Sequence, residues 1–190
     1  MKKDFRKKVI EFRKNKDSNF ISKNSQIIVE KLLSTDYIKK ANTIMIYLDF
    51  NNEVKTDQLI IKLLSLRKTV VAPVTIKEKK KLIPFKINNL KDDITIGAYG
   101  IREPKQIPSN KVSIEDIDIL VVPAVAYDKN CYRLGYGGGF YDRFIEHLKD
   151  DAITIGMAFD LQVFDSIPKE NHDAQLNYII TETNIYTRKI

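Results

Sequence analysis

The sequence has 190 residues, of which 43% are hydrophobic and 30% are charged, proportions typical of one globular domain over residues 1–190. It contains no run of about 18 apolar residues, and no apolar segment follows the basic start, so neither a membrane span nor a secretory signal is expected. The single cysteine, Cys131, cannot form an internal disulfide. These features predict a cytoplasmic protein.

The net charge of +7 suits three kinds of partner: nucleic acid, an anionic membrane surface or small polyanionic substrates. The basic residues concentrate near the N-terminus and in a turn at Lys77–Lys81, and both groups are typical of solvated surface. No helix-turn-helix, zinc-finger or RNP signature accompanies them. We therefore expect small-molecule substrates, with no nucleic acid, no membrane and no obligate protein partner.

The first 40 residues are predicted to be helical, because apolar residues repeat at helical spacing in two stripes, Phe5–Phe12 and Ile27–Leu33. The segment Asp17–Asn19 separates the stripes and offers both a turn and an N-cap. A strand at Thr43–Leu48 then leads through a polar loop to a third helical stretch, which Thr56 can cap.

The middle of the chain is predicted to contain strands and a long loop. A strand at Thr69–Ala72 ends at Pro73, and another strand covers Leu82–Ile87. Residues 88–113 are loop-like, with several glycines and prolines. Ile117–Val122 is a nearly continuous apolar run, which is typical of a central strand covered on both faces.

The last third is predicted to hold a glycine-rich loop, a helix to about Leu148, and strands at Ile153–Ala158 and Tyr178–Thr181. This alternation favours a three-layer α/β/α fold with a mostly parallel central sheet. Such sheets bind ligands in the crevice at the carboxyl ends of their strands. The loops predicted to meet there are Asp49–Thr56, Pro123–Asp142 and Phe159–Asp173.

The glycine-rich loop lies in the segment Arg133–Tyr141, which reads RLGYGGGFY. Four glycines within five residues let the backbone adopt positive φ and approach a ligand closely, and amides exposed before a helix suit phosphate. The loop is neither a Walker loop nor the dinucleotide fingerprint, because Phe140 stands where the third glycine of that fingerprint belongs. Phosphate binding and a merely flexible turn both fit the spacing, and the flanking Arg133 and Arg143 favour phosphate.

The segment RLGYGGGFYDR closely resembles the signature of the 5-formyltetrahydrofolate cyclo-ligases, also called 5,10-methenyltetrahydrofolate synthetases. Other segments resemble the family in the same order along the whole chain. They are Lys2–Arg6, Tyr47–Leu48 with Glu53–Thr56, Gly97–Pro104, Gly156–Phe159, Ile167–Pro168, His172–Asp173 and Ile179–Glu182.

The resemblance implies an enzyme that uses ATP, with Mg²⁺, to cyclise 5-formyltetrahydrofolate to 5,10-methenyltetrahydrofolate, releasing ADP and phosphate. This chemistry needs positioning and charge neutralisation more than a protein nucleophile, in keeping with a sequence that has no Ser-His-Asp or Cys-His signature. One alternative is a non-catalytic folate- or nucleic-acid-binding protein of the same fold, although the intact glycine loop disfavours it. Another is a sugar-phosphate or CoA-handling enzyme, which the match at Glu53–Thr56 disfavours.

The resemblance also implies roles for particular residues. The residues implied for ATP are Lys2, Lys3, Asp4, Phe5, Arg6, Arg133, Leu134, Gly135, Tyr136, Gly137, Gly138, Gly139, Phe140 and Tyr141. The residues implied for the folate are Leu48, Glu53, Tyr136, Gly137, Gly138, Gly139 and Phe140. Arg133 and Tyr141 are the candidates for a catalytic role.

The residue pattern alone leaves several of these roles open. Lys2 and Arg6 lie four residues apart, so they share a helix face and could clamp a phosphate or be solvated. Glu53 follows a strand in a polar loop, where it could accept hydrogen bonds from a pterin or lie on the surface.

Two residues are implied as magnesium ligands, Asp142 and Asn177. Asp142 opens a helix, where a carboxylate could equally interact with the helix dipole. Family members usually have aspartate where this chain has Asn177, and an amide brings no negative charge, so weaker metal binding is expected. Some members also have lysine where this chain has Gly138, so the loop of this chain carries less positive charge than theirs.

Overall fold

The computed structural model of the chain describes residues 2–170 and 173–189. The helices are α1 (Lys2–Lys14), α2 (Ser18–Leu33), α3 (Asp36–Lys40), α4 (Asp57–Ser65) and α5 (Phe140–Ile145). The strands are β1 (Thr43–Met45), β2 (Thr69–Ile76), β3 (Lys81–Ile87), β4 (Ile94–Ile96), β5 (Arg102–Pro104), β6 (Ile119–Val122), β7 (Ala126–Asp128), β8 (Arg133–Leu134), β9 (Ile153–Met157), β10 (Val163–Phe164), β11 (Tyr178–Ile180) and β12 (Ile185–Thr187).

Seven strands form the central sheet in the order β12-β11-β9-β6-β1-β2-β3. The five inner strands are parallel, and the edge strands β12 and β3 are antiparallel to their neighbours. All four residues of β6 are buried, because helical layers or other strands cover both of its faces. The predicted mostly parallel α/β sheet is confirmed.

The two faces of the sheet are covered differently. One face packs against α2, α3 and α4 in the largest hydrophobic cluster, which includes Ile28, Ile38 and Leu59. The other face packs against α5, through Phe144, and against a small sheet of strands β10, β7 and β8, through Tyr127. Helix α1 packs on that small sheet through Val9. The second outer layer of the predicted three-layer fold is therefore part helix and part sheet.

Several boundaries differ from the prediction for physical reasons. Strand β2 continues through Pro73, which lies opposite Pro84 in the antiparallel ladder. The Pro84 carbonyl oxygen accepts from the Val112 amide over 3.0 Å, so it points away from β2, and this is a non-hydrogen-bonded pair that needs no N–H from either proline. Helix α5 ends at Ile145 rather than near Leu148, because the chain tightens there into i→i+3 hydrogen bonds.

The N-caps of two helices were also predicted. Asp17 caps α2 as expected, accepting a hydrogen bond from the Phe20 amide over 2.7 Å. Thr56 occupies the N-cap position of α4, but its side chain makes no capping bond. Its hydroxyl instead donates to Asp49 Oδ1 over 3.1 Å and ties together the two ends of the loop after β1.

Candidate active site

Three loops at the carboxyl ends of the central strands meet, as the topology predicted. Tyr136, in the glycine-rich loop, donates a hydrogen bond to Glu53 in the loop that follows β1. Gln162, in the segment after β9, donates to the carbonyl oxygen of Val125 over 3.0 Å. These bonds join the loops that follow β1, β6 and β9 into one site.

The glycine-rich loop connects β8 to α5 and relies on conformations that favour glycine. Gly137 has φ of 101° and Gly139 has φ of 65°, both in the left-handed region, and Gly139 is the N-cap of α5. A Cβ on Gly138 would lie 2.7 Å from the Phe140 ring. The loop therefore presents bare backbone to solvent, as close approach of a ligand requires.

Three guanidinium groups surround this loop. Arg6 donates from Nε to the Gly135 carbonyl oxygen over 2.7 Å, and Arg143 donates to the Gly138 carbonyl oxygen, also over 2.7 Å. Arg133, only 6% exposed, forms an ion pair with Asp142. Such a ring of cations around exposed backbone suits a polyanion such as a triphosphate.

On the other side of the loop lies a buried carboxylate. Glu53 is 6% exposed and accepts hydrogen bonds from the Phe50 amide, over 2.9 Å, and from the Tyr136 hydroxyl. Burial raises the pKa of Glu53 above its ordinary value, although the Tyr136 bond and the positive charge of Arg13 oppose that effect. Glu53 borders a narrow cleft whose other lining residues are Arg13, Tyr47, Val54, Pro123, Ala124, Met157 and Gln162.

Comparison with known proteins identifies the family of the chain. A family model described as the 5-formyltetrahydrofolate cyclo-ligase family matches residues 1–182. The chain belongs to the 5-formyltetrahydrofolate cyclo-ligase family. The family, the enzyme class and the fold predicted from the sequence are confirmed.

Individual relatives are similar over most of their length. The 5-formyltetrahydrofolate cyclo-ligase of Haemophilus influenzae is 33% identical, over 80% of this chain and 81% of that protein. The solution structure of Aquifex aeolicus 5,10-methenyltetrahydrofolate synthetase matches with a TM-score of 0.87 and 29% identity, over 100% of this chain and 93% of that one. The Mycoplasma pneumoniae synthetase matches with a TM-score of 0.76 and 25% identity, over 95% of this chain and 98% of that one.

The N-terminal residues implied for ATP divide between several surroundings. Arg6 reaches the glycine loop, whereas Lys2 forms ion pairs with Glu170, over 2.9 Å, and Asp173, over 3.1 Å. Phe5 stacks edge-on against Phe164 with ring centroids 5.1 Å apart and so anchors α1 to the small sheet. Lys3 and Asp4 are exposed, and His172, part of a cyclo-ligase-like segment, lies outside the described residues.

The remaining candidates lie close to the loop. Leu134 and Leu48 are buried in the hydrophobic clusters beneath the site. Burial raises the pKa of Tyr141 far above its ordinary value, so its hydroxyl stays protonated and can act only as a hydrogen-bond donor or acceptor, not as a base. The Nε of Arg133 is buried and has no hydrogen-bond partner among residues 2–170 and 173–189.

The structure does not bring the two implied metal ligands together. Asp142 lies in the first turn of α5, and its side chain is 44% exposed beside Arg133. Asn177 directly precedes β11, at the amino ends of the strands and so away from the site. Its Oδ1 accepts hydrogen bonds there from the amide and the hydroxyl of Thr154, at 2.8 and 2.9 Å. Within the described part of the chain, no group of three or more His, Cys, Asp or Glu side chains could hold a metal ion.

Two residues of the site were not predicted from the sequence. Gln162 carries no motif that would have identified it. Arg13 is 1% exposed and hydrogen bonds to both the Glu53 loop and Tyr136, yet its neighbours in the sequence resemble a solvated basic helix. Its spacing from Arg6, seven residues or about two helical turns, was an available signal, because it places both arginines on one helix face.

No helix among residues 2–170 and 173–189 is both long and apolar enough to span a membrane.

Cys131 is buried, and burial raises the pKa of its thiol to about 11, so it is not a ready nucleophile.

Proposed function

We propose that this chain catalyses the ATP-dependent cyclisation of 5-formyltetrahydrofolate to 5,10-methenyltetrahydrofolate, with release of ADP and phosphate, in a single domain. The observation that carries the proposal is the bond between Tyr136 and Glu53. This bond joins a cation-lined glycine loop, suited to a triphosphate, directly to a buried carboxylate, suited to a pterin. The two halves of the site match the two substrates of the cyclo-ligase family.

The glycine loop is proposed to hold the triphosphate of ATP. The exposed backbone of Gly137 and Gly138 can approach phosphate oxygens, and Arg6 and Arg143 hold the loop in shape while adding positive charge. Arg133 is proposed to contact the transferred phosphoryl group, because its buried Nε retains an unused donor.

The folate is proposed to place its pterin ring against Glu53, which requires the narrow cleft there to widen on binding. An ionised carboxylate only accepts hydrogen bonds, and the pterin ring offers N–H donors. Tyr47 and Val54 supply apolar surface on the walls of this cleft. The formyl group would then face the glycine loop, where Tyr136 marks the boundary between the two substrates.

The reaction can be written with balanced bonds. The formyl oxygen on nitrogen five attacks the γ-phosphorus, and the bond to the ADP oxygen breaks with its electron pair leaving on ADP. Nitrogen ten then attacks the activated carbon and loses its proton, and the carbon–oxygen bond breaks to release phosphate. The chain's residues contribute orientation of the two nitrogens and neutralisation of phosphate charge, both of which are large effects in such reactions.

Magnesium is proposed to accompany ATP. When bound, it would neutralise phosphate charge, as it does for many nucleotides. Asp142 fits this role, because its half-exposed carboxylate lies at the end of the glycine loop and Mg²⁺ commonly takes one carboxylate beside phosphate oxygens. We leave Asn177 out of the site, since its amide oxygen is already engaged by Thr154.

A direct assay tests the proposal. Purified protein is mixed with 5-formyltetrahydrofolate and Mg-ATP, and the methenyl product is followed by its absorbance while ADP is measured separately. We expect equal amounts of product and ADP, and neither without ATP. Binding of the folate with no product at any ATP concentration would support the alternative, a non-catalytic binding protein.

The single buried cysteine also supports a cytoplasmic location, which fractionation of cells would test.

A further inference from the structure

Arg13 joins two loops of the site although it belongs to neither of them. It lies in the last turn of α1, and its side chain is only 1% exposed. Its Nε donates to the carbonyl oxygen of Asn51 over 3.0 Å, and an Nη donates to the Tyr136 hydroxyl over 2.8 Å. Tyr136 in turn donates to Glu53, so one chain of hydrogen bonds runs from α1 through the glycine loop to the buried carboxylate.

Burying a guanidinium costs more free energy than burying an apolar side chain of the same size. Removing a charge from water costs several kcal/mol unless the charge is paired and hydrogen-bonded, and an apolar side chain of similar volume often stabilises a fold as well or better. Packing alone therefore does not account for an arginine at this position. Its two bonds are directed at the residues that flank the cleft, which indicates a role in the site.

The groups around Glu53 make Arg13 its main source of positive charge. Burial and the neighbouring Asp49 carboxylate both raise the pKa of Glu53. Tyr136 and Arg13 oppose them, and the tyrosines at the same end of the sheet, Tyr47, Tyr127 and Tyr141, remain neutral because burial raises their pKa values. Without Arg13, Glu53 would face a neighbouring carboxylate, the Phe50 amide and neutral hydroxyl groups, with no other positive charge from the described residues opposing its protonation.

We propose that Arg13 is a positioning residue for the folate, which holds Glu53 and Tyr136 in the arrangement that receives the pterin ring. The proposal rests on the function proposed above. It assigns Arg13 to folate binding rather than to ATP, although it shares a helix with Arg6.

The test compares Arg13→Met, Arg13→Lys and, as a matched control on the same helix, Lys14→Met at an exposed position. We expect Arg13→Met to raise the KM for 5-formyltetrahydrofolate roughly tenfold or more, with the KM for ATP nearly unchanged. The acid limb of kcat/KM for the folate should move to higher pH, because Glu53 would keep its proton longer. Lys14→Met should match the parent in all three measurements.

Arg13→Lys separates charge from geometry. It keeps the positive charge, so the acid limb should return towards that of the parent, whereas the folate KM should stay raised because an ammonium lacks the fork that holds two partners. Tyr136→Phe, at a position 46% exposed and so tolerant of change, should raise the folate KM and show no additional effect in the double variant with Arg13→Met.

A melting curve accompanies each variant. Equal losses towards both substrates in a folded Arg13→Met protein, or an unmoved acid limb in both Arg13→Met and Tyr136→Phe, would overturn the proposal. Should Arg13→Met fail to fold, Tyr136→Phe and Arg13→Lys still decide it. A parent protein that makes no methenyl product would instead overturn the proposed function, so the two failures are distinguishable.

Discussion

The Arg6 guanidinium donates from Nε to the carbonyl oxygen of Gly135 over 2.7 Å, which attaches helix α1 to the first glycine of the loop. The same guanidinium group lies 3.6 to 3.7 Å from the place that a Cβ on Gly137 would occupy. A Cβ at that distance is already in van der Waals contact with Arg6, so a larger side chain adds bulk against the guanidinium. The position of Arg6 therefore depends on glycine at 137.

The first prediction concerns Gly137→Val. The branched side chain must displace Arg6 and cover exposed backbone, so the KM for ATP should rise roughly tenfold or more, as for the loss of a charged hydrogen bond. Gly100→Val is the matched control, since Gly100 also has positive φ, 69°, but no atom lies within 4 Å of its Cβ position. Both variants should lose about 1–3 kcal/mol of unfolding free energy, from strain at positive φ.

ATP titrations and melting curves of the two variants check this prediction. The Gly100→Val variant should keep the parent's KM for ATP although its melting temperature is lower. If both variants bind ATP like the parent, the glycine loop is not the nucleotide site. If both lose ATP equally, backbone strain rather than the bare loop surface accounts for the effect.

The second prediction concerns Glu53→Gln. The amide cannot accept charge-assisted hydrogen bonds from the pterin, so the KM for 5-formyltetrahydrofolate should rise roughly ten- to hundredfold while the KM for ATP changes little. Glu103→Gln is the control, because Glu103 is equally buried at 6% but accepts from the Thr75 amide, over 3.0 Å, instead of facing the cleft. A larger rise in the KM for ATP than for the folate would contradict the assignment.

The sequence was sufficient for six of the seven strands of the central sheet and for part of the site. The apolar run that forms β6 predicts a buried strand, because only a strand covered on both faces needs no polar side. The edge strand β12, the hairpin of β4 with β5 and the small sheet of β10, β7 and β8 were missed. Their strands have only two or three residues, too few for an alternation to be seen.

Arg13 shows why the rest of the site could not be predicted. Its residue type is typical of a solvated basic helix, and its seven-residue spacing from Arg6 gives only the helix face, not the burial. Its burial depends on Asn51 and Tyr136, which lie 38 and 123 residues away along the chain. Only the packed fold brings those partners to the helix, so no local pattern records them.

The third prediction concerns stability and pH at the amino edge of the sheet. Asp118 accepts hydrogen bonds from the amides of Asn42 and Thr43 and from Lys149. Burial raises the pKa of Asp118, but the Lys149 bond and the two amides outweigh it and leave that pKa below its ordinary value. The carboxylate therefore stabilises the fold above its unfolded pKa, and this contribution is lost as pH falls through the lower, folded pKa.

Asp118→Ala should cost about 1–3 kcal/mol of unfolding free energy at pH 7, since two amides lose their acceptor. The difference from the parent should shrink as pH falls below the ordinary pKa of aspartate. Asp151→Ala is the control, because Asp151 also pairs with Lys149, at 4.0 Å, but its side chain is 84% exposed. A difference that stays constant down to low pH would show that ionisation of Asp118 is not the source.

The fourth prediction concerns magnesium. Asp142→Asn should raise the Mg²⁺ concentration needed for half-maximal activity, because a hard dication loses a charged oxygen ligand. Asn177→Asp, which introduces the carboxylate that the family resemblance implies, should leave that concentration unchanged, since position 177 faces Thr154 at the amino ends of the strands. Activity is measured against Mg²⁺ at saturating ATP for the parent and for both variants.

The two substitutions change the local charge in opposite directions, which makes the comparison sharp. A shift with Asp142→Asn alone supports a site built from one carboxylate and the phosphates of ATP. A lower Mg²⁺ requirement in Asn177→Asp would show that position 177 acts on the metal after all, and the two bonds to Thr154 would then have to break on binding. Because Asp142 also pairs with Arg133, Arg133→Lys serves as a check. It keeps the positive charge beside Asp142, so its Mg²⁺ curve should match that of the parent even where its rate with ATP falls.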